Sequence, residues 1–272
     1  MTQGAWRGFS QPLAGGGHFS TYGPPPWTFE GFSASIFLVF DPAQVADLIP
    51  PPLKLAGDPV CRLSLHDIVC DYGFGERFAQ ENPDQAHFHE AVLGFLVETD
   101  GTLGQWCPFL WCNTEAEFAV GRELYGWQQH LGELSMTRRP RRGWRAGDRV
   151  AGLVTRGRRS VFDFVIDLER AGDVPATVEG FRVFPDQANA NNFFAEVVLP
   201  HPVDRVLVRR LTLSSMIDMT VSGLWSGPAV AQVHAPELRF LQGARVLGGR
   251  WHEVAWKKPW PRRIVREDTA TE

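Results

Sequence analysis

Short runs of β-branched and aromatic residues, separated by Gly and Pro at close intervals, dominate the hydrophobic and polar pattern of the chain. Such runs are typical of strands bounded by turns. The predicted strands are Ser33–Phe40, Ala91–Val97, Asp148–Leu153, Ser160–Leu168, Phe193–Leu199 and Val206–Leu213. Because helical periodicity is scarce, the pattern predicts a mostly β (α+β) fold with an antiparallel sheet or barrel, not alternating βαβ units.

Two short segments have the signals of helices. Asp41–Leu48 starts with an Asp in the N-cap position and a Pro at the first helical position, and Pro50 follows its end. Glu115–Leu124 has acidic residues in its first turn, which the helix dipole favours. Both are predicted as helices on the strand-rich scaffold.

The chain shows no internal repeat and no linker, so one domain is predicted over residues 1–272. Residues 1–26, with GGG and PPP, are predicted as an extended N-terminal arm, and 257–272 as a C-terminal tail.

Composition excludes several classes of protein. Hydrophobic residues make up 44% and charged residues 21%, as in globular domains. With 27 basic and 31 acidic residues the net charge is −4, so we expect no nucleic-acid or membrane partner. The chain has no run of about 18 apolar residues that would span a bilayer, and its first residues lack the apolar core of a signal peptide. A cytoplasmic location is therefore expected.

Lysine and cysteine limit the possible chemistry. Only three of the 27 basic residues are lysines: Lys54, Lys257 and Lys258. Lys54 follows a PPPL turn, and Lys257 and Lys258 begin KKPWPRR, so all three are expected to be exposed to solvent. None of the four cysteines forms a C-x-x-C pair, and Cys107 and Cys112 flank the apolar PFLW, so buried inert thiols are predicted. Ten Trp and 19 Phe supply a large core and favour a pocket for an apolar or aromatic ligand.

Two local clusters have both a functional and a structural interpretation. Nine arginines between Arg138 and Arg159 are interpreted as a solvated hairpin or protected edge, although an anion-binding patch is the alternative. His87 and His89 alternate on a strand and would share a face, but a third metal ligand at a fixed spacing is missing. No metal and no cofactor are predicted, and a His87/His89 metal site stays open as an alternative.

Four segments in order resemble the acetoacetate decarboxylase family. They are LIPPPL (Leu48–Leu53), FHEAVLGFLV (Phe88–Val97), VGRELYGWQQHLG (Val120–Gly132) and WSGPA (Trp225–Ala229). The resemblance implies a closed antiparallel β-barrel with an interior pocket, assembled into homo-oligomers.

The resemblance also locates a change in chemistry. In the family the GREL segment leads into Pro-Lys-Lys-Leu, whose first lysine forms a Schiff base with a β-keto acid and whose second lowers its pKa. Gln129 stands at the first lysine here and His130 at the second. The family's arginine aligns near Gly31, and its acidic residue corresponds to Glu90. An amide cannot form an imine, so this chain is identified as a divergent member that lacks the Schiff-base lysine.

The remaining side chains favour acid–base chemistry. We expect Glu90, Gln129 and His130 to be catalytic: a desolvated Glu90 as general acid or base, Gln129 as a donor to a carbonyl or enolate oxygen, and His130 as a proton shuttle. Trp127, Arg122 and Trp225 are the expected substrate contacts. Two structural alternatives stay open: Glu90 paired with an arginine such as Arg122, and Arg122 serving the fold.

The predicted function is a Schiff-base-independent lyase. It would cleave a C–C or C–O bond, by retro-aldol or dehydration chemistry, in a small oxygenated, aromatic or apolar substrate. Two alternatives are a non-catalytic small-molecule-binding barrel (a sensor or carrier) and a decarboxylase or isomerase of a keto acid that works by another mechanism.

Overall fold

A computed structural model describes residues 22–138, 143–172, 177–178, 181–182, 191–198, 207–259 and 263–267. Strands dominate the described chain, and each predicted strand run, as far as it is described, lies within an observed strand to within one residue at its ends. The strands are β1 Trp27–Val39, β2 Lys54–Leu55, β3 Val60–Cys70, β4 His87–Thr99, β5 Thr102–Cys112, β6 Gln129–Leu131, β7 Glu133–Met136, β8 Arg149–Arg156, β9 Arg159–Asp167, β10 Arg170–Ala171, β11 Thr177–Val178, β12 Phe181–Arg182, β13 Asn191–Val198, β14 Leu207–Ser215, β15 Ile217–Gly227, β16 Ala229–Val233, β17 Val246–Lys258 and β18 Arg263–Glu267. The mostly β prediction is confirmed.

The helices are short. They are α1 Pro42–Val45, α2 Glu76–Glu81, α3 Pro83–Ala86 and α4 Glu115–Ala119, with 3₁₀ turns at Ala46–Leu48 and Pro236–Leu241 and a π-helical turn at Val120–Tyr125. Asp41 caps α1 by accepting a hydrogen bond from the Ala43 amide, as its sequence signal predicts. No helix in the described part of the chain is long and apolar enough to cross a bilayer.

Two sheets enclose the main core. The larger follows the order β10-β15-β17-β1-β3-β4-β5-β13-β14-β18, with β2 on β4 and β6 on β5. The smaller follows β16-β9-β8-β7, and β11 pairs with β12. Buried Ile36, Leu63 and Leu93 from the larger sheet share one apolar cluster with Phe162 and Phe164 from the smaller sheet. The predicted closure into a barrel stays a prediction, because the described strand order ends at β10 and β18.

The opposite face of the larger sheet positions the candidate site. Registers across β17, β1, β3 and β4 align His252, Ser33, His66 and Glu90 in one row. Directly opposed residues share a face of a sheet, so this row is polar while the face behind it packs on the core. At the end of the same face, Lys258 of β17 is opposite Trp27 of β1.

The N-terminal arm and the C-terminal tail predicted from the sequence are described to different extents. Residues 1–21 lie outside the described residues, whereas Tyr22 is buried and Trp27 begins β1. The boundary predicted at 257 falls inside β17, which continues to Lys258, and β18 pairs with β14. Part of the predicted tail is therefore sheet.

The arginine-rich segment forms a hairpin where it is described. β8 and β9 pair with one another, and Arg149, Arg156 and Arg159 are exposed on them. This agrees with the hairpin interpretation. Arg139, Arg141 and Arg142 lie outside the described residues.

Candidate active site

Two glutamates from distant parts of the chain meet at one glutamine. Glu90 lies on β4, Glu117 on α4 and Gln129 at the start of β6. The Gln129 Nε2 amide donates to Glu90 Oε1 at 3.1 Å and to Glu117 Oε1 at 3.4 Å. The amide therefore holds the two carboxylates on either side of a single nitrogen.

Glu117 is placed by the start of α4. Thr114 caps this helix, and its Oγ1 accepts a hydrogen bond from the Glu117 amide at 3.3 Å. The T-x-x-E spacing is that of a capping box, in which the glutamate reaches back to the cap. Here its side chain turns inward instead: it is 1% exposed, and its Oε2 accepts a hydrogen bond from the Tyr72 hydroxyl at 3.0 Å.

Gln129 fits its position because residue 121 has no side chain. Gln129 is fully buried, and an added Cβ on Gly121 would lie 1.8 Å from its Oε1. Gly121 belongs to the π-helical turn Val120–Tyr125, an element often found at functional sites. The glycine of the GREL motif thus provides the space that the side chain of residue 129 occupies.

Both hydrogen bonds from the Gln129 side chain use the same amide nitrogen. Its Nε2 donates to the carboxylates of Glu90 and Glu117, and within the described residues its Oε1 has no hydrogen-bond partner. That nitrogen already bridges the two acids and holds them in place in this structure. The predicted role of Gln129 as donor to a substrate oxygen stays a prediction.

Burial shifts the proton affinity of both acids toward neutral pH. Desolvation raises the pKa of Glu90 to about 7, against the opposing charge of Lys258 and the hydrogen bond from Gln129. The pKa of Glu117 is raised to about 8, first by desolvation and then by the charge of Glu90, while Lys258 acts in the opposite direction. Glu90 is the partly exposed member of the pair, whereas Glu117 is 1% exposed.

The prediction that Lys258 is exposed to solvent is wrong. Lys258 is 1% exposed, and its Nζ lies 3.8 Å from the ring centroid of Trp127 and 4.1 Å from that of Tyr125. Lys257, one position earlier, is exposed and donates to Asp218 at 2.9 Å. Successive strand residues point to opposite faces, so a predicted solvated pair becomes one surface lysine and one buried lysine.

The rings of Trp127, Tyr125 and Trp27 form an aromatic wall beside the buried Lys258. Tyr125 stacks near Trp127 with ring centroids 5.7 Å apart, and the Tyr125 ring meets Trp27 edge-on at 5.8 Å. Trp27 also contacts Tyr72, whose hydroxyl bonds Glu117. Trp127 therefore lies beside the buried lysine, and its predicted contact with substrate stays a prediction.

The side chains of three other predicted site residues lie outside the bridge between Glu90 and Glu117. His130 follows Gln129 on β6, so it points to the opposite face, and burial followed by the charges of Arg156 and Arg122 lowers its pKa. Trp225 is opposite Trp251 and packs against the main core, on the other face of β17 from Lys258. Arg122 is exposed and donates to the Gln129 backbone carbonyl at 3.1 Å, so it supports the turn.

Two buried arginines and two histidines lie on the same face of the sheet as Glu90. Arg62 and Arg250 are 8% and 5% exposed, and Arg62 donates to Gln105. Burial, and then the charges of both arginines, lowers the pKa of His66 to about 3. The pKa of His252, in the same row as His66, is likewise lowered to about 2 by burial and by the charge of Arg250. Both histidines are therefore neutral near pH 7.

At Gly31, near which the resemblance aligns the family's arginine, the structure leaves no room for a side chain. A Cβ added there would lie 2.0 Å from the Asp67 carbonyl oxygen, so no side chain fits without backbone movement. The positive charge near the two acids comes from Lys258 instead.

The histidine pair makes other contacts. His87 is exposed, whereas His89 Nε2 lies 3.6 Å from Asp67 and its Nδ1 lies 3.2 Å from Asn113 Nδ2. In the described ranges, no three His, Cys, Asp or Glu side chains are grouped to hold a metal ion.

The four cysteines are free and buried, as predicted for Cys107 and Cys112. Burial raises the pKa of the Cys61 and Cys107 thiols to about 12, and that of Cys112 higher still. Such thiols are poor nucleophiles at neutral pH.

Sequence reasoning missed Glu117 and Lys258. Glu117 had a signal, because Thr114 stands three positions before it in a capping pattern. Lys258 had a weaker signal. If the alternation of β17 continues past Trp256, residue 258 lies on the same face of the strand as Trp256.

A family model described as acetoacetate decarboxylase (ADC) matches residues 10–258. The chain belongs to the acetoacetate decarboxylase family. No curated protein matches it in sequence. The family match ends at Lys258, the last residue of β17.

Solved structures of low sequence identity share the fold. The enduracididine biosynthesis enzyme MppR, solved with pyruvate, is 20% identical over 97% of this chain and 99% of its own, with a TM-score of 0.82. An acetoacetate decarboxylase-like enzyme from Sphingomonas wittichii is 22% identical over 94% and 100%, with a TM-score of 0.79. The acetoacetate decarboxylase of Legionella pneumophila is 18% identical over 93% and 92%, with a TM-score of 0.73. All three of these solved proteins carry the names of enzymes.

Proposed function

We propose that the chain is a lyase that breaks or forms a C–C or C–O bond beside the carbonyl group of a small oxygenated, aromatic or apolar substrate. The observation that supports this most is the pair of carboxyl groups of Glu90 and Glu117, bridged by the Gln129 amide with raised pKa values of about 7 and 8. Acids with a pKa near the working pH are efficient in both directions of proton transfer.

The two acids differ in access. Glu90 is partly exposed and would exchange a proton with the carbon or oxygen next to the substrate carbonyl. Glu117 is buried behind Gln129 and is bonded to Tyr72, so it would tune Glu90 by its charge without touching substrate. The aromatic wall with Trp127 and Tyr125 would pack against an apolar or aromatic part of the substrate.

The structural relatives favour carbonyl chemistry. MppR has been solved with pyruvate and with the condensation product of pyruvate and imidazole 4-carboxaldehyde. A condensation between a keto acid and an aldehyde is the kind of C–C bond chemistry that retro-aldol cleavage reverses. Because identity to MppR is only 20%, these ligands suggest a test substrate and not this chain's own substrate.

The test uses proton exchange, which needs no natural substrate. Methyl protons of pyruvate and of acetophenone are followed by NMR in heavy water, with and without protein. We expect the protein to accelerate exchange of at least one ketone, and Glu90→Gln to reduce this by about 10²-fold or more. Glu117→Gln should shift the pH dependence of the reaction.

Glu98→Gln is the matched control, because Glu98 lies on the same strand as Glu90 and is exposed. Exchange at the rate without protein, or acceleration untouched by Glu90→Gln, would contradict the proposal. Pyruvate binding without acceleration would instead favour a binding protein.

A further inference from the structure

Strand β17 ends with one lysine at the surface and one in the candidate site. On β17, the Lys257 side chain is 47% exposed and bonded to Asp218, whereas Lys258 is 1% exposed. Trp27, directly opposite Lys258 on β1, is fully buried. Placing a lysine this deep is costly unless charged or aromatic neighbours compensate, so the position of its amine needs an explanation.

The neighbours of Lys258 supply that compensation. Its Nζ lies against the faces of Trp127 and Tyr125, at 3.8 and 4.1 Å from their centroids. Its charge acts on Glu90 and on Glu117, and both carboxyl groups belong to the acid pair bridged by Gln129. An amine, two carboxyl groups and two aromatic rings are thus grouped at one end of this face of the larger sheet.

This grouping has the chemical parts needed for addition of an amine to a carbonyl group. A lysine amine in a hydrophobic pocket is a nucleophile toward carbonyl substrates once it has lost its proton. A neighbouring carboxylate that binds and releases protons near pH 7 can take that proton and return it. Lys54, on the edge strand β2, is exposed, and Lys257 is bound to Asp218, so neither has such surroundings.

We propose that Lys258 is the amine nucleophile of this site and forms an imine with the carbonyl carbon of the substrate. This inference rests on the proposed function and adds a covalent step to it. The amine would enter from β17, whereas position 129, where the resemblance places the family's amine, is Gln129. The prediction of a Schiff-base-independent lyase depended on all three lysines being exposed, and Lys258 removes that premise.

The step balances with the groups present. The Lys258 ammonium passes a proton to the Glu90 carboxylate, and the nitrogen lone pair attacks the carbonyl carbon as the C=O π bond opens onto oxygen. A proton moves from nitrogen to that oxygen, and protonated Glu90 then protonates the hydroxyl group, which leaves as water. The products are a protonated imine and one water molecule, and the positive charge stays on nitrogen. Hydrolysis by water reverses these steps.

Reductive trapping tests the proposal directly on the wild-type protein. Pyruvate or benzaldehyde is added with cyanoborohydride at neutral pH, and the labelled lysine is identified by peptide mass spectrometry. We expect an adduct at Lys258 that forms faster than any at Lys54 or Lys257. Labelling only at Lys54 or Lys257, or no adduct at Lys258 with either probe, would overturn the proposal.

Variants separate this proposal from the proposed function. Lys258→Arg keeps the positive charge but cannot form an imine, and Lys257→Gln is the matched control one position away. We expect ketone exchange to fall to the rate without protein in Lys258→Arg and to persist in Lys257→Gln, with both variants melting as single folded species. If exchange persists in Lys258→Arg and is lost in Glu90→Gln, the acid–base function stands and Lys258 is only an ion-pair partner. If Lys258→Arg does not fold, the wild-type trapping result decides.

Discussion

Gly121 and Gln129 are fitted to each other: a Cβ on Gly121 would lie 1.8 Å from Gln129 Oε1. The Gln129 side chain therefore occupies space that Gly121 leaves empty. In this position its amide nitrogen points toward Glu90 and Glu117. The glycine supports the acid pair without touching either acid.

The first prediction concerns this fit. Gly121→Ala should lower the free energy of unfolding by about 1–3 kcal/mol, because an extra carbon in a packed interior displaces its neighbours. Shortening residue 129 should recover part of the loss, so the double variant Gly121→Ala with Gln129→Ser should be more stable than additivity predicts. Urea denaturation of the four proteins measures this coupling. Strict additivity would show that the two positions do not compete for space.

The second prediction concerns pH. The pKa of Glu117 is raised to about 8 and that of Glu90 to about 7, from an ordinary value of 4.5. Between about pH 5 and pH 8 the folded protein thus holds protons that the unfolded chain has released, and the free energy of unfolding should fall as pH rises. Each retained proton contributes a slope of up to about 1.4 kcal/mol per pH unit.

Glu117→Gln isolates this effect, since its amide stays neutral at every pH. The decrease in urea midpoint from pH 5 to pH 8 should be smaller in this variant than in the wild type. Glu115→Gln, on the first turn of the same helix but outside the bridge, is the control. Equal pH slopes in all three proteins would mean that Glu117 titrates as an ordinary glutamate.

The third prediction concerns the contact between Lys258 and the aromatic wall. Lys258 Nζ lies 3.8 Å from the Trp127 ring centroid, and a desolvated cation–π contact stabilises by about 2 kcal/mol. A double-mutant cycle of Lys258→Met and Trp127→Leu, measured by urea denaturation, should therefore give a favourable coupling energy. The same cycle with Lys257→Met should give none, because Lys257 contacts Asp218.

The fold could be predicted further than the site. Alternating apolar runs placed the main strands, because the period of two is local information in the sequence. The resemblance placed Glu90 and Gln129 in one pocket, and the structure joins them by a hydrogen bond. Lys258 could not be placed, because its burial depends on Trp27 and Trp127, which are far away in sequence, and Lys-Lys-Pro is typical of a solvated end.

Strand alternation also determines the faces on which His130 and Trp225 lie. The resemblance aligns His130 beside Gln129, but neighbours on a strand point to opposite faces, so only one of them can face Glu90. Trp225 is opposite Trp251, on the core face of β17. Both residues come from segments that resemble the family, and such a resemblance does not by itself determine the direction of a side chain.

The fourth prediction follows from these placements. His130→Gln and Trp225→Phe should leave ketone exchange close to that of the wild type, because neither side chain shares the face that holds Glu90 and Gln129. Glu90→Gln, measured alongside, should reduce it by about 10²-fold or more. NMR exchange rates at matched folded fractions measure this, with Trp225→Phe checked for stability because its ring packs on the core. A loss of exchange in His130→Gln as large as that in Glu90→Gln would place His130 in the proton path and would require β6 to rotate.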